Sequence, residues 1–231
     1  MKLSIIIPCY NEINTISKII NKILNLNFTI DKEIILVDDC SNDGTKEIIE
    51  KNYLNHKQIK VLFHKKNFGK GAAIKTAKKI ITGNIVLIQD ADLEYDPKDY
   101  EALIKPIIKS QIKVVYGSRV LNQNRYLAKG FTSKIRVFGN HILTIISNIL
   151  NKQKLTDAHT CYKVFSREVF NKITLEEDDF SFCPEVTSKV SKLGYEIIEV
   201  PISYTGRDYK NGKKIKFSDA FKALKTLIKY S

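Results

Sequence analysis

Apolar residues fall along this chain in short unbroken blocks separated by stretches of helical spacing. Leu3-Ser4-Ile5-Ile6-Ile7 is a block of the first kind, as a strand buried on both faces requires. From Thr15 the pattern becomes helical, with Ile16, Ile19, Ile20, Ile23 and Leu24 on one face. Glu33 to Val37 predicts a second strand, and Asp43-Gly44-Thr45 opens a second helix with Ile48 and Ile49 inward. A strand at Ile59 to Phe63, a helix at Gly71 to Ile81, a strand at Ile85 to Ile88, a helix at about Asp99 to Ile108 and a strand at Val114 to Tyr116 follow. This alternation predicts an α/β fold, a mainly parallel Rossmann-like sheet with helices on both faces, whose ligands bind beyond the carboxyl ends of the strands.

After Arg119 the rhythm changes. Lys134 to Leu150 predicts an Ile- and Leu-rich helix, Cys161 to Phe165 a strand, Glu185 to Lys192 a helix and Glu196 to Val200 a strand. Whether the Ile-rich face of 135–150 is core or lipid-facing stays open. Lys216 to Tyr230 predicts a basic amphipathic helix with Phe217, Phe221, Leu224 and Ile228 on one side. With no repeat and no low-complexity linker, one domain over 1–231 is expected.

No apolar run reaches the roughly 18–20 residues that cross a bilayer, and Met1-Lys2 leads straight into a strand rather than a signal peptide. A cytoplasmic location follows, with contact to a membrane face allowed. Cys9, Cys40, Cys161 and Cys183 contain no CxxC pair, so neither zinc nor a disulfide framework is supported. A formal charge of +13 calls for an anionic partner: nucleic acid, a membrane surface or a phosphorylated substrate. No nucleic-acid motif accompanies it. The basic excess collects between Arg207 and Lys229, which favours the membrane and the phosphate.

The candidate chemistry sits directly after the strands. Pro8-Cys9-Tyr10-Asn11-Glu12, Asp38-Asp39, Asn67-Phe68-Gly69-Lys70-Gly71, Asp90-Ala91-Asp92 and Gly117-Ser118-Arg119 follow strands one to five, and the alternating topology gathers them on one edge. Asp90 and Asp92 with Glu94 repel one another unless a cation stands among them; hard oxygen donors suit Mg²⁺ or Mn²⁺. Gly69-x-Gly71 lacks a third glycine and is no dinucleotide fingerprint. His141 and His159 are weaker ligand candidates.

These motifs, with Val37-Asp38-Asp39-Cys40-Ser41-Asn42-Asp43-Gly44-Thr45, resemble the family-2 inverting glycosyltransferases of the GT-A fold, and among them the dolichol- or polyprenyl-phosphate mannose synthase-like subgroup. The resemblance implies a donor half over 1–119 and an acceptor half with amphipathic interfacial helices over 120–231. It implies donor contacts at Pro8, Tyr10, Glu12, Asp39, Lys70, Asp90, Ala91 and Arg207, and metal ligation by Asp90, Asp92 and Glu94. It places Arg119 by phosphate or sugar, and Arg136, Lys213 and Lys214 by donor and acceptor phosphates. Asp92, Arg119, Asp157 and Glu185 become the catalytic set, with Asp157 and Glu185 either acting as a base or merely orienting Arg207 or Lys163. The implied reaction moves a sugar from a nucleoside diphosphate to polyprenyl phosphate at the cytoplasmic membrane face, with Mg²⁺ or Mn²⁺. Transfer to a glycan hydroxyl, a catalytically silent nucleotide-sugar-binding module and a sugar nucleotidyltransferase are the alternatives. A homodimer or a membrane-anchoring subunit stays open.

Overall fold

The structure, a computed structural model, describes residues 1–121, 131–207 and 218–231, the side chains of 131–136 and 218 excepted. Its centre is a seven-stranded sheet. The strands are β1 (Lys2–Cys9), β2 (Asp31–Asp38), β3 (Ile59–Phe63), β4 (Ile85–Ile88), β5 (Val114–Ser118), β6 (Lys163–Ser166) and β7 (Ile197–Pro201). The helices are α1 (Ile16–Leu24), α2 (Thr45–Tyr53), α3 (Lys70–Lys78), α4 (Tyr100–Lys109), α5 (Phe131–Asn151), α6 (Arg167–Lys172), α7 (Phe182–Lys192) and α8 (Ser218–Tyr230), with a 3₁₀ turn at Pro97–Asp99.

Strand order is β3-β2-β1-β4-β6-β5-β7. β1 pairs in parallel with both β2 and β4, and β2 with β3, so the predicted alternation holds over this half. Leu3, Ile5, Ile6, Ile7 and the whole of Ile85–Ile88 are buried, as two-sided cover demands. The chain runs outward through β2 and β3, then α3 crosses back over β1 and β2 to β4. Direction therefore reverses between β1 and β4, and a crevice opens at the carboxyl ends where such a reversal occurs.

The sequence left one feature unread. β6 runs antiparallel and inserts between β4 and β5, pairing Val86 with Phe165 and Val115 with Val164. β5 still points the same way as β4, because two antiparallel pairings restore direction. The carboxyl ends of β1 to β5 and of β7 thus share one edge.

The two amphipathic helices each pack one face and turn apolar residues outward on another. Among the described side chains of α5 the buried ones are Leu143, Thr144, Ser147 and Asn151, a largely polar set, while Phe138, Ile142, Ile145 and Ile149 form an outward apolar stripe. Ile149 is 72% exposed. α8 buries Ala223, Thr226, Leu227 and Tyr230 toward α5 and α7 and leaves Phe221 and Ile228 outside. Phe217 lies outside the described residues.

Candidate functional site

The site is assembled where the strands stop. At the end of β1 the backbone turns sharply, with Asn11 at φ +50°, and Glu12 becomes the start of the α1 turn, its carbonyl accepting from Ile16 N at 2.9 Å. The Glu12 carboxylate is buried and accepts from Thr15 Oγ1 at 2.6 Å and from both terminal nitrogens of Arg207 at 3.1 Å. Pro8 remains in the strand opposite Val37, and Tyr10 is half-buried at its exit.

At the end of β2, Asp39 uses both carboxylate oxygens to hold the next loop. It accepts from Phe68 N at 2.9 Å and Gly69 N at 2.6 Å, with His64 Nδ1 at 2.6 Å. Asp39 was expected to contact base or ribose; in this structure its carboxylate holds the 64–69 loop. His64 was not anticipated. Its other ring nitrogen meets Thr76 Oγ1 at 2.9 Å, so it ties α3 to the β2 end.

The loop from β3 delivers Lys70 as the first residue of α3. Gly69 adopts φ +105°, and a Cβ there would stand 2.5 Å from the Asp178 carbonyl oxygen. At Gly71 a Cβ would run into the Glu177 carbonyl. These glycines therefore admit the backbone of 177–178, which Ala72 N seals with a 3.0 Å hydrogen bond to Asp178 O. Lys70 Nζ reaches Asp90 Oδ1 at 2.5 Å and Cys161 Sγ at 3.5 Å. Burial works most strongly against its charge, but its surroundings together, Asp90 foremost, hold its pKa above the ordinary lysine value.

The β4 end is anchored from beneath. Gln89 is fully buried and its Oε1 accepts from Tyr100 and Tyr162 hydroxyls at 2.6 and 2.7 Å, while Nε2 donates to Asp90 O at 2.9 Å. Ala91 is buried between the two aspartates. Asp92 Oδ1 accepts from Glu94 N at 3.1 Å, and its Oδ2 lies 2.9 Å from Arg207 Nη2. Burial, then the charges of Asp90 and Glu94, push the Asp92 pKa up to about 7 against the pull of Arg207.

Glu94 does not join a three-carboxylate metal set. Its oxygens accept from Arg207 N at 2.7 Å and Tyr204 OH at 2.9 Å. Among the described residues no group of three or more His, Cys, Asp or Glu is arranged to hold a metal ion. Asp90 and Asp92 remain as candidate ligands. The donor set still suits a hard divalent cation. Asp90 is ion-paired with Lys70, and Glu12, Asp92 and Glu94 with Arg207, so the edge brings four carboxylates with hard oxygen donors together. Magnesium-type sites often use one or two carboxylates and take the rest of their ligands from substrate phosphate and water.

At the end of β5, Arg119 is held flat. Asp157 receives its Nε at 2.6 Å, Nη2 at 2.7 Å and backbone N at 3.1 Å, and the guanidinium lies 5.1 Å from the Tyr204 ring centroid. Burial alone would raise the Asp157 pKa, yet Arg119 holds it below the ordinary range. Asp157 is thus an ion-pair partner in this geometry, and it positions Arg119 rather than Arg207 or Lys163. Nη1 of Arg119 takes no part in that fork.

Glu185, the other candidate base, is placed elsewhere. It is fully buried on α7 and accepts from the backbone of Glu176 at 2.6 Å and Glu177 at 3.0 Å, with Lys189 at 2.7 Å. It fixes the 176–178 turn that packs on Gly69 and Gly71. Lys163 is also fully buried, donating to Ala158 O at 2.8 Å and standing 3.8 Å over the Tyr116 ring, with burial pushing its pKa down to about 8. His159 has an Nε2 that is buried without a hydrogen-bond partner among the described residues, and burial followed by Lys163 pushes its pKa down to about 4, so the ring is neutral. Lys213 and Lys214 lie outside the described residues, as does the side chain of Arg136.

A cleft of about 670 Å³ opens over this edge, lined by Asn11, Glu12, Asp43, Asp92, Gly206 and Arg207 among others. A second depression of about 530 Å³, with Lys2, Phe28, Lys32 and Gln58, lies at the opposite ends of the strands. There Lys32 is already satisfied by the carbonyls of Ile23, Leu24 and Leu26, so the chemistry converges on the first. Tyr204 and Arg207 follow β7 just as the other clusters follow their strands. Tyr204 was missed, although the same rule applied to β7 would have found it.

Comparison with known proteins shows the family and the fold. The family described as Glycosyl transferase family 2 matches residues 4–174. A dolichyl-phosphate beta-glucosyltransferase of Trichomonas vaginalis is 32% identical over 243 residues, spanning 98% of this chain and 72% of that protein. A UDP-N-acetylglucosamine–dolichyl-phosphate N-acetylglucosaminyltransferase of Methanococcus voltae is 28% identical over 241 residues, spanning 97% and 94%. Among solved structures, glucosyl-3-phosphoglycerate synthase from Mycobacterium tuberculosis, in complex with Mn²⁺, uridine diphosphate and phosphoglyceric acid, superposes with TM-score 0.75 at 18% identity, covering 99% of this chain and 78% of that one. Mannosyl-3-phosphoglycerate synthase from Rubrobacter xylanophilus gives 0.72 at 18%, covering 100% and 72%. At that identity the likeness speaks to the fold.

Proposed function

Since the chain belongs to glycosyl transferase family 2 and is a glycosyltransferase of the GT-A fold, we propose that it moves a sugar from a nucleoside diphosphate to polyprenyl phosphate, with inversion at the anomeric carbon. The observation that carries this reading is the carboxylate-rich edge at the β1–β4 reversal. Half-buried Asp92 stands there under charge stress that a divalent cation with a diphosphate would relieve.

In this reading residues 1–119 form the donor half and 120–231 the acceptor half. Asp90 and Asp92 would hold Mg²⁺ or Mn²⁺. Bound there, the cation would neutralise charge on the departing diphosphate. Lys70 and Arg119 supply fixed positive charge where the leaving group gains its negative charge, and both are already oriented by Asp90 and Asp157. A preset guanidinium needs little reorganisation as the anomeric bond breaks.

The acceptor follows from how the two candidate bases are engaged. A hydroxyl nucleophile needs a carboxylate within roughly 2.6–3.2 Å to take its proton. Asp157 is committed to Arg119, and Glu185 to backbone amides. A phosphate monoester is largely ionised at neutral pH and needs only guidance. Relatives named for dolichyl phosphate, aligned over nearly the whole chain, support the same acceptor.

The outward stripe of α5 supports a membrane-peripheral site of action, which this reading assigns to the cytoplasmic face. Phe138, Ile142, Ile145 and Ile149 with Phe221 and Ile228 of α8 would enter the headgroup layer, and Lys225 would meet its anionic charge. No helix among the described residues is long and apolar enough to cross a membrane.

The test is transfer of labelled sugar from a panel of nucleotide sugars to a short-chain polyprenyl phosphate, beside soluble hydroxyl acceptors. Product on the lipid phosphate is expected. Product on a hydroxyl acceptor alone would overturn the acceptor assignment.

A further inference from the structure

Arg207 occupies the place where the donor's charge should be handled, but it faces protein. Its Nη2 lies 2.9 Å from Asp92 Oδ2 and 3.1 Å from Glu12 Oε1, its Nη1 3.1 Å from Glu12 Oε2, and its backbone N donates to Glu94 at 2.7 Å. Its Nε is buried with no hydrogen-bond partner among the described residues, 3.8 Å from Glu94 Oε1. One fork therefore spans carboxylates from the ends of β1 and β4 with three hydrogen bonds and leaves its Nε–H without an acceptor among the described residues. The same guanidinium lines the cleft.

Both N–H groups of Nη2 are already given to Asp92 and Glu12, so that nitrogen has none for a diphosphate until it releases a carboxylate. We propose that Arg207 is a resident counter-cation: in the free protein it neutralises Glu12 and Asp92, and it is exchanged for the divalent cation when the donor arrives, turning its fork to the diphosphate. The inference rests on the metal-dependent transferase reading above. It goes further in assigning an order. Bare cation is kept out because the carboxylates are already paired, and metal and nucleotide enter together. The diphosphate compensates Arg207 for the partners it gives up, and the unused Nε–H gains an acceptor.

The test is a titration of the whole chain with MnCl₂, reading free Mn²⁺ by electron paramagnetic resonance, alone and with UDP or GDP. Arg207→Met keeps the aliphatic stem without the charge, and Arg207→Lys keeps the charge without the fork. Without nucleotide, Arg207→Met is expected to bind Mn²⁺ at least about ten-fold tighter than wild type, since a neighbouring positive charge has gone. Arg207→Lys should fall between, and nucleotide should tighten Mn²⁺ binding less in Arg207→Met than in wild type. Melting curves check that each variant is folded, and Mn²⁺ alone should raise the melting temperature of Arg207→Met more than that of wild type. Unchanged or weaker Mn²⁺ binding in both variants, with nucleotide still promoting it in wild type, would overturn the exchange and leave the transferase reading standing. No Mn²⁺ binding by wild type with either nucleotide would bring down the metal reading and the exchange with it.

Discussion

Replacing Asp92 by asparagine should stabilise the ligand-free protein at alkaline pH while removing its activity. Asp92 is 16% exposed at its side chain and stands beside Asp90 and Glu94, and its pKa is pushed from 3.8 up to about 7, by burial first and those charges next. For an acid whose pKa is raised on folding, the native state keeps a proton that the unfolded chain has lost. Stability therefore falls as pH rises from about 4 through about 7, and the full penalty applies above that. At about 1.4 kcal/mol per pH unit the gap corresponds to on the order of 4 kcal/mol, shared among the coupled carboxylates. The Asp92→Asn variant escapes this penalty but takes one partner from Arg207, which keeps Glu12 and Glu94. A net gain of about 1–2 kcal/mol at pH 8 is expected, or a rise of roughly 2–8 °C in melting temperature for a chain of this length. Thermal unfolding of both proteins at pH 5 and pH 8, without metal or nucleotide, reads it directly. The difference between variant and wild type must open as pH rises, while sugar transfer drops by about 10²–10³-fold. A variant whose stability relative to wild type is the same at both pH values would show that Asp92 is under no charge stress, and the argument for a cation at this edge would fail.

Glu185→Gln should weaken the cap on the 176–177 backbone and lower stability by about 1–3 kcal/mol in urea unfolding, with kcat within a factor of two; a hundred-fold loss of kcat in folded protein would restore its candidacy as a base. Gly71→Ala forces a methyl group into the Glu177 carbonyl and should cost about 1–3 kcal/mol by the same measurement, with weaker donor binding. Ile142→Ser with Ile149→Ser removes two exposed apolar side chains and should reduce co-sedimentation with anionic vesicles by at least about ten-fold. That double variant should still glycosylate a short-chain soluble acceptor, and undiminished vesicle binding would show that the α5 stripe faces something other than lipid.

The β1–β4 half was legible because β1, β2 and β4 are largely buried on both faces and leave apolar runs in the sequence, while β3 leaves a shorter one interrupted by Lys60. The polar clusters that follow those runs were legible for the same reason, since a parallel sheet sends every strand end to one edge. Direction was not. Cys161 to Phe165 reads as a strand, but only its pairing with Val86 and Val115 determines that it runs backwards between β4 and β5. α8 carries two apolar strips, and only packing against α5 and α7 decides that Leu227 and Tyr230 are core while Phe221 and Ile228 are surface. Charge behaved in the same way. A run such as Asp90, Asp92 and Glu94 announces that cations must be near, because like charges otherwise raise one another's pKa. It does not say which cations. Lys70 is 20 residues from Asp90 in sequence, while Arg207 is 195 from Glu12. Glu185, which the resemblance offered as a base or an orienting group, makes the same point: its partners are the amides of an upstream turn. Residue type reveals that a charge must be balanced, and only the fold assigns the balancing group. The partners of Asp92 and Glu12 therefore carry more functional information than the carboxylates themselves, and Arg207, which serves both, is a partner that a diphosphate could claim in turn.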